Sequence, residues 1–449
     1  MTRVLLVCGD AVGRRMAGPA IRAVELGRVL AAAGHEVTVA TPDVAGDADL
    51  GVVVRTLSDQ VAADLAAGAD VVVGQGWPLE RWPVLRRAAT LVVDLYDPYH
   101  LEGLVADSAL PLAARRERHR GRMAALTAQL REGDLFLCAG DRQRDMWLGA
   151  LSALGRVNAD TYADDPTLRR LVDSVPFGVP AAPPAPRRRA IRDGFPAVLE
   201  GDCVLLWGGG LYDWFDPLTL VSAVALALPR APGLRLVVNA APHPSAAAEP
   251  MAMAVRTRAL ADELGLTGSH VLFNETWVPY EERADWLCDA DVGVSTHLPH
   301  VETEFAYRTR MLDYLWAGLP ILCTAGDVLA DEVEHHWLGV TVPPEDTAEL
   351  ADAIVRLATE PALRREAGAR ARSRASERTW ERVAAPLLRF CSAPSRAADR
   401  PATAVTEEAT ASAEPGGREA ATAAARAVAE GIRAGWRSGV RRINDARRR

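Results

Sequence analysis

Two arginines and one aspartate lie on an otherwise apolar stretch, AYRTRMLDYLWAGLPIL, at residues 306–322. The apolar side chains recur at helical spacing and predict a helix with one buried face, whereas Arg310 and Asp313 share a different face. A guanidinium at the start of such a helix can bind phosphate, and a carboxylate can accept hydrogen bonds from ribose hydroxyls. A surface Arg–Asp pair is the alternative, which the apolar surroundings disfavour.

Two glycine-rich turns are further candidates for phosphate binding. Gly18 ends the turn after the apolar run RVLLVC and precedes a predicted helix, whose N-terminus favours an anion. The spacing does not fit the dinucleotide-binding fingerprint, and an ordinary tight turn is the alternative. Gly208, Gly209 and Gly210 follow another apolar run and can cradle a diphosphate with their backbone N–H groups.

Polar and aromatic side chains follow two other apolar runs. Asp97 and His100, with Asp94 before them, come directly after TLVVDLY, where active-site side chains usually lie. His100 is a candidate general acid or base, and a structural role is an equally weighted alternative. Trp277, after VLFNE, is a candidate for stacking on a nucleobase, and core packing is as plausible.

The composition excludes several classes of function. The sequence has no lysine, so all 51 basic residues are arginine, and neither a P-loop nor a Schiff-base lysine can exist here. The net charge of -8 disfavours nucleic acid as a partner. The six cysteines form no Cys-x-x-Cys pair and mostly follow apolar runs, which indicates reduced thiols, and no signal peptide or membrane span is recognisable. We therefore expect a cytoplasmic protein.

Short Val- and Leu-rich runs alternate with amphipathic stretches, which predicts parallel sheets covered by helices on both faces. The pattern is interrupted by a Pro- and Arg-rich segment and then resumes. We predict an α/β protein with two doubly wound domains and a ligand cleft between them. The predicted parts are a first domain, a linker, a second domain, a C-terminal helix and a low-complexity tail, at 1–180, 181–200, 201–375, 376–392 and 393–449.

The tail ends in a basic stretch with Ile432, Trp436, Val440 and Ile443 at helical spacing. A tail without fixed structure is the favoured interpretation. The alternative is an amphipathic helix on an anionic membrane surface, which would give the protein a peripheral contact with the inner face of the cell membrane.

Four stretches resemble the retaining GT-B glycosyltransferases of group 1, the GT4 family. They are GPAIRAVELGRVLAAAGHEVTVAT, VPFGVP, VLFNETWVPYEERADWLCDADVGVSTH and LDYLWAGLPIL, and the resemblance covers residues 3–390 in order. It implies a GT-B fold with two facing Rossmann-like domains, the second binding a nucleotide diphosphate sugar and the first an acceptor. Asp313 stands where the family has the glutamate that holds the nucleotide ribose.

The sequence departs from the family at two places. Phe305 occupies the position of the family's first glutamate, so Glu302 or Glu304 is expected to contact the donor sugar instead. The family's Arg…Lys pair after the glycines is missing, and Arg308 and Arg310 are the candidates to replace it, with Arg22 a weaker one.

The resemblance implies transfer of a sugar to an acceptor hydroxyl with retention of configuration, without a cofactor or an obligatory metal. Asp289 and Asp291 look like a metal-binding DxD, but we interpret them as a helix-to-strand turn. The acceptor, which could be a saccharide, a lipid carrier or a small molecule, stays open, as do cell-envelope polysaccharide, glycolipid and natural-product pathways. An epimerase of the same fold and a degenerate nucleotide-sugar-binding subunit are the alternatives; a lysine-dependent phosphorylase is excluded.

Overall fold

The structure is a computed structural model of the 449-residue chain, and it describes residues 1–46, 49–244 and 251–400. Both interpretations of the basic stretch in the tail, the favoured one without fixed structure and the alternative amphipathic helix, concern residues within 401–449, which lie outside the described residues.

Most of the longer strands coincide with Val- and Leu-rich runs of the sequence. In chain order they are β1 (Arg3–Val7), β2 (Val12–Gly13), β3 (Glu36–Thr41), β4 (Val44–Ala45), β5 (Val53–Thr56), β6 (Val71–Gly74), β7 (Thr90–Asp94), β8 (Leu135–Cys138), β9 (Val172–Ser174), β10 (Cys203–Trp207), β11 (Leu234–Asn239), β12 (Val271–Asn274), β13 (Val292–Ser295), β14 (Ile321–Thr324) and β15 (Gly339–Val342).

Helices follow most of the strands. In chain order they are α1 (Gly18–Ala32), α2 (Asp59–Gly68), α3 (Trp77–Arg81), α4 (Tyr99–Ala106), α5 (Leu112–Glu132), α6 (Asp141–Ala153), α7 (Ala159–Asp164), α8 (Ala190–Gly194), α9 (Pro217–Ala227), α10 (Ala252–Glu263), α11 (Arg283–Leu287), α12 (Val301–Phe305), α13 (Thr309–Ala317), α14 (Val328–His335), α15 (Thr347–Thr359), α16 (Pro361–Ala375), α17 (Trp380–Val383) and α18 (Ala385–Ser392). Short 3₁₀ turns cover Pro83–Arg87 and Tyr280–Glu282.

The strands form two large parallel sheets, one in each half of residues 1–400. Within the described residues their orders are β5-β3-β1-β6-β7-β8-β9 and β12-β11-β10-β13-β14-β15. The strands of such sheets are covered on both faces, and the central valines of β6 are accordingly almost completely buried. The predicted α/β architecture of two doubly wound domains is confirmed.

Each sheet has a point where the chain reverses the direction in which it adds strands. In the first sheet β1 pairs with both β3 and β6, and in the second β10 pairs with both β11 and β13. A crevice opens beyond the carboxyl ends of the strands at such a point, and ligands of α/β proteins bind there. The loops that follow β1 and β10 should therefore line the site.

The chain returns to the first domain near the end of the described residues. Trp380 lies 4.7 Å from the ring of Phe177, centroid to centroid, and its backbone N–H donates to the carbonyl of Val179. Gly178 permits this approach, because a Cβ there would come within 2.7 Å of the indole. The segment predicted as one helix is two, α17 and α18, since Pro386 in the first turn of α18 has no N–H to continue the ladder.

Residues 393–400, which the sequence analysis assigned to the tail, pack on the first domain. The carboxylate of Asp399 accepts hydrogen bonds from Arg156 at 2.6 and 3.0 Å, and both side chains are buried. Arg400 pairs in the same way with the buried Asp134 at 3.0 Å. The predicted boundary of the tail at residue 393 is therefore too early.

Candidate functional site

A cavity of about 370 Å³ lies between the two domains at the carboxyl ends of both sheets. Both switch points contribute to it, through the loops after β1 and β10. We call this cavity the cleft. Nine of the predicted site residues line it: Gly18, Asp97, Gly208, Gly209, Gly210, Trp277, Arg308, Arg310 and Asp313.

Arg310 is a buried cation without a carboxylate partner among the described residues. Its guanidinium lies 4.0 Å from the ring of Phe215 and 4.4 Å from that of Trp207, and its Nη2 donates to the carbonyl of Gly210 at 2.9 Å. Within the described part of the chain, Nη1 is buried and makes no hydrogen bond. Desolvation lowers the pKa of Arg310 to about 10. An anion in the cleft would stabilise this charge.

Arg308 differs from Arg310 because its charge is already neutralised. Both oxygens of Glu302 accept hydrogen bonds from the Arg308 guanidinium, at 2.8 and 2.7 Å. Glu302 is completely buried in this pair and does not line the cleft. Its predicted contact with a donor sugar is therefore not supported by its position, and Glu304, which is exposed outside the cleft, is no better placed.

The three-glycine turn is held by the helix that carries Arg310. The N–H of Gly208 donates to the hydroxyl of Tyr314 at 2.8 Å, and this hydroxyl can donate to the carbonyl of Leu206 at 2.9 Å or of Val294 at 3.0 Å. Tyr314 packs directly on Gly293, where any Cβ would overlap its ring. The turn after β10 is therefore fixed to α13, and its shape depends on a side chain 106 positions away.

Asp313 lines the cleft one turn after Arg310 on α13, and its side chain is 33% exposed. Nε of Arg283 donates to its Oδ1 at 3.1 Å. Burial raises the pKa of Asp313, and the charge of Arg283 acts in the opposite direction. The helix ends at Gly318, which is in the left-handed conformation at φ 71°.

Trp277 lines the cleft from the loop after β12, close to His243 at a ring-centroid distance of 6.2 Å. Its indole Nε1 is buried and makes no hydrogen bond within the described residues. Trp277 is therefore positioned in the cleft wall where it could contact a nucleobase, as predicted from the sequence.

Carboxyl groups line the first-domain side of the cleft. Burial raises the pKa of Asp97 to about 7, although a hydrogen bond with Glu102 works against this shift. Burial, together with the nearby Asp97 charge, raises the pKa of Glu102 well above its ordinary value. These two groups therefore share a proton near neutral pH. Glu102 was not predicted as a site residue. Its position five residues after Asp97 could have indicated that the two carboxyl groups lie close together.

Two predicted side chains lie away from the cleft. His100 lies on α4, and its ring packs on that of Trp147 at a centroid distance of 5.5 Å. Burial lowers the pKa of His100 to about 4, so it is a neutral structural residue. Arg22 is buried below the cleft, where Asp94 accepts two of its hydrogen bonds at 2.7 and 2.8 Å. Their predicted roles, in acid–base chemistry and in phosphate binding, do not agree with these positions.

The two acids of the DxD-like motif support the backbone. Asp289 pairs with Arg192 at 2.6 Å and accepts from two N–H groups of α8, and Asp291 accepts from the N–H of Val204 at 2.9 Å. The described residues contain no group of three or more His, Cys, Asp or Glu side chains suited to hold a metal ion. None of the described helices has the length and apolar character that crossing a membrane requires.

Part of the second domain matches a known family model. Residues 204–360 match the family model described as glycosyl transferases group 1. A D-inositol 3-phosphate glycosyltransferase of Saccharomonospora viridis is 28% identical over 241 residues, which are 52% of this chain and 53% of that protein. The matched region thus spans about half the length of the curated relatives.

Solved structures show that the whole described fold is GT-B. The sucrose-phosphate synthase of Thermosynechococcus elongatus superposes with a TM-score of 0.63 at 19% identity, over 87% of this chain and 98% of that one. HepE of Anabaena in complex with UDP-glucose gives 0.63 at 13% identity, over 87% and 100%. The predicted GT-B fold is confirmed, and the resemblance to the group 1 glycosyltransferases is confirmed over residues 204–360.

Proposed function

We propose that the chain is a group 1 glycosyltransferase that transfers a sugar from a nucleotide diphosphate sugar to an acceptor hydroxyl. The observation that carries the proposal is Arg310, a buried guanidinium at the cleft that no carboxylate among the described residues neutralises. A buried charge of this kind is costly without a partner, and the diphosphate of a donor is a suitable one.

The donor diphosphate would lie between Arg310 and the three-glycine turn. Since the N–H of Gly208 is used by Tyr314, the amides of Gly209 and Gly210 are the ones left to meet a phosphate. The α13 N-terminus adds a favourable dipole. Asp313 would accept hydrogen bonds from the ribose, and Trp277 would contact the base.

The chemistry proposed is transfer with retention. As the bond from the anomeric carbon to the phosphate oxygen breaks, negative charge grows on the diphosphate, and Arg310 stabilises it. The acceptor oxygen attacks on the same face, and its proton passes to the departing phosphate oxygen. Asp97, with Glu102, would face the acceptor from the first domain. No metal and no cofactor is required for these steps.

The acceptor and the setting are also part of the proposal. Relatives and neighbours are named for sugar and polyol phosphates, such as D-inositol 3-phosphate and sucrose phosphate, which supports a hydroxyl-rich acceptor. A polysaccharide, a glycolipid or a natural product fits this description. We place the enzyme in the cytoplasm, where its free cysteines stay reduced. A peripheral membrane contact through the tail belongs to the same proposal.

The first test measures donor binding by Arg310→Gln. UDP-glucose, GDP-mannose and ADP-glucose are titrated against the wild type by calorimetry, and the donor that binds is used further. We expect the variant to lose affinity about 10- to 100-fold, because a charge-assisted hydrogen bond contributes about 1.5–3 kcal/mol. Arg230→Gln, which removes an exposed guanidinium paired with Asp352, is the matched control. If Arg310→Gln binds the donor with the same affinity as the wild type, Arg310 does not bind the diphosphate.

A subunit that binds the donor without turnover is the second candidate. The Arg308–Glu302 pair favours this candidate. The family resemblance implies two basic side chains for the diphosphate, whereas here Glu302 neutralises Arg308 and leaves Arg310 alone for this role. Labelled donor separates the candidates. Release of free nucleotide that depends on added acceptor supports transfer, and tight binding without release supports the subunit.

A further inference from the structure

The guanidinium of Arg283 lies over two aromatic rings at the cleft. Its guanidinium carbon lies 3.6 Å from the ring centroid of Tyr280 and 4.4 Å from that of Trp316. Nη1 donates to the carbonyl of Tyr280 at 2.6 Å, and Nε donates to Oδ1 of Asp313 at 3.1 Å. Trp316 is itself fixed, because its indole N–H donates to the carbonyl of Ala182 at 2.8 Å. The orientation of the guanidinium is therefore set before any ligand binds.

The contact with Arg283 determines what Asp313 can offer a ligand. Arg283 occupies one side of Oδ1, so Oδ2 and the remaining lone pair of Oδ1 are left for a ligand. The side chain of Asp313 is partly exposed and lines the cleft. An ionised carboxylate accepts hydrogen bonds with both oxygens, whereas a protonated one must donate from one of them.

We propose that Arg283 is a positioning residue for donor binding, which presents Asp313 as a fixed, ionised acceptor for the two ribose hydroxyls of the nucleotide. The inference rests on the proposed function, and it names a residue for which the sequence predicted no role. Arg283 acts through Asp313 and is not assigned a contact with the reacting atoms.

The charged and titratable groups around this pair are few. Tyr280 from the 3₁₀ turn and Tyr314 from α13 interact with Asp313 beside Arg283. Glu25 on α1 faces Arg283 from the first domain, and it is paired with Arg28 at 2.8 Å. Arg283 is the group that favours ionisation of Asp313, while burial opposes it. Loss of Arg283 would therefore raise the pKa of Asp313 further.

The test compares ribose discrimination in the full-length wild type, Arg283→Gln and Arg283→Lys. UDP, GDP and ADP and their 2′-deoxy analogues are titrated by calorimetry, with pyrophosphate as a probe of the phosphate site alone. We expect the wild type to prefer the ribonucleotide about tenfold, since one hydrogen bond to a carboxylate is worth that much. Arg283→Gln should bind both forms equally, Arg283→Lys should retain an intermediate preference, and all should bind pyrophosphate alike.

The pH dependence of nucleotide affinity distinguishes the loss of Arg283 as a partner of Asp313 from a general packing defect, which would not change that dependence. Affinity for the ribonucleotide should fall as the pH falls through the pKa of Asp313, and in Arg283→Gln this fall should begin about one pH unit higher. The inference is overturned if Arg283→Gln discriminates ribose from deoxyribose as the wild type does and its affinity has the same pH profile. If Arg283→Gln does not fold, the same result in Arg283→Lys overturns it. A wild type that binds none of the nucleotides contradicts the proposed function instead.

Discussion

At the scale of single residues, pairing decides what two chemically identical side chains can do. Arg308 and Arg310 stand two positions apart, and the sequence makes them equal candidates for phosphate binding. Glu302 neutralises the first, whereas the second is stacked on aromatic rings without a carboxylate among the described residues. The spacing of Glu302 and Arg308 in the sequence does not predict that the two side chains form a pair. This distinction required the structure.

A residue-scale prediction concerns the stability cost of Asp97. Its pKa of about 7 in the folded state exceeds the value of about 4 in the unfolded chain. The folded state therefore binds the proton more tightly, and this contribution to stability is present below about pH 4 and lost as the pH rises to about 7. Asp97→Asn should be more stable than wild type at pH 8 by about 1–2 kcal/mol.

Urea unfolding at pH 5 and pH 8 measures this effect, with the exposed Asp352→Asn as control. The gain of Asp97→Asn should be larger at pH 8 than at pH 5, and transfer activity should fall if Asp97 faces the acceptor. A gain that is equal at both pH values would show that Asp97 is ionised throughout this range.

At the scale of elements, long and regular patterns were predictable and short ones were not. The strands β1, β3 and β10 and the helix α1 follow the predicted runs closely, because buried parallel strands and amphipathic helices leave clear periodic patterns. The strands β9 and β15 were not predicted; they have three and four residues and are stabilised by their neighbours in the sheet. Such strands have too few residues to show a period of their own.

The element-scale prediction is that Tyr314 fixes the glycine turn to α13. Tyr314→Phe removes the acceptor of the Gly208 N–H and leaves that group buried and unpaired. The free energy of unfolding should fall by about 1–3 kcal/mol, and affinity for the donor should fall with it because the turn loosens. Urea unfolding and donor titration measure both effects.

Tyr162→Phe, which removes an exposed hydroxyl, is the matched control and should change stability by less than about 0.5 kcal/mol. If Tyr314→Phe unfolds at the wild-type urea concentration and binds donor as tightly, the turn does not depend on this hydroxyl.

At the scale of the whole molecule, the site is predictable in outline because topology alone places it. Two doubly wound sheets present their switch points to the same cleft, so residues after β1, β7 and β10 had to converge. The partners of those residues were not predictable. Glu102 and Arg283 were not predicted as site residues, although Arg283 lies in a stretch that resembles the family. Their importance comes from Asp97 and Asp313, which they meet only in the folded chain.

The last prediction concerns residues 393–400, which join the C-terminal end of the described chain to the first domain. Asp399 neutralises Arg156, which also donates to the carbonyls of Leu130 and Gly133 and cannot easily leave its buried position. Asp399→Ala should therefore lower the free energy of unfolding by about 3 kcal/mol, because it leaves a buried charge unpaired. Asp352→Ala, which breaks the exposed pair with Arg230, should cost less than about 1 kcal/mol.

Truncation tests the same contact independently. A chain that ends at Ser392 should unfold at a lower temperature than one that ends at Arg400, since it lacks the partners of both Arg156 and Asp134. Both chains should still transfer sugar to a soluble acceptor, because neither loses a residue of the cleft. Equal unfolding temperatures for the two chains would mean that residues 393–400 contribute nothing to the first domain, and the tail boundary would return to residue 393.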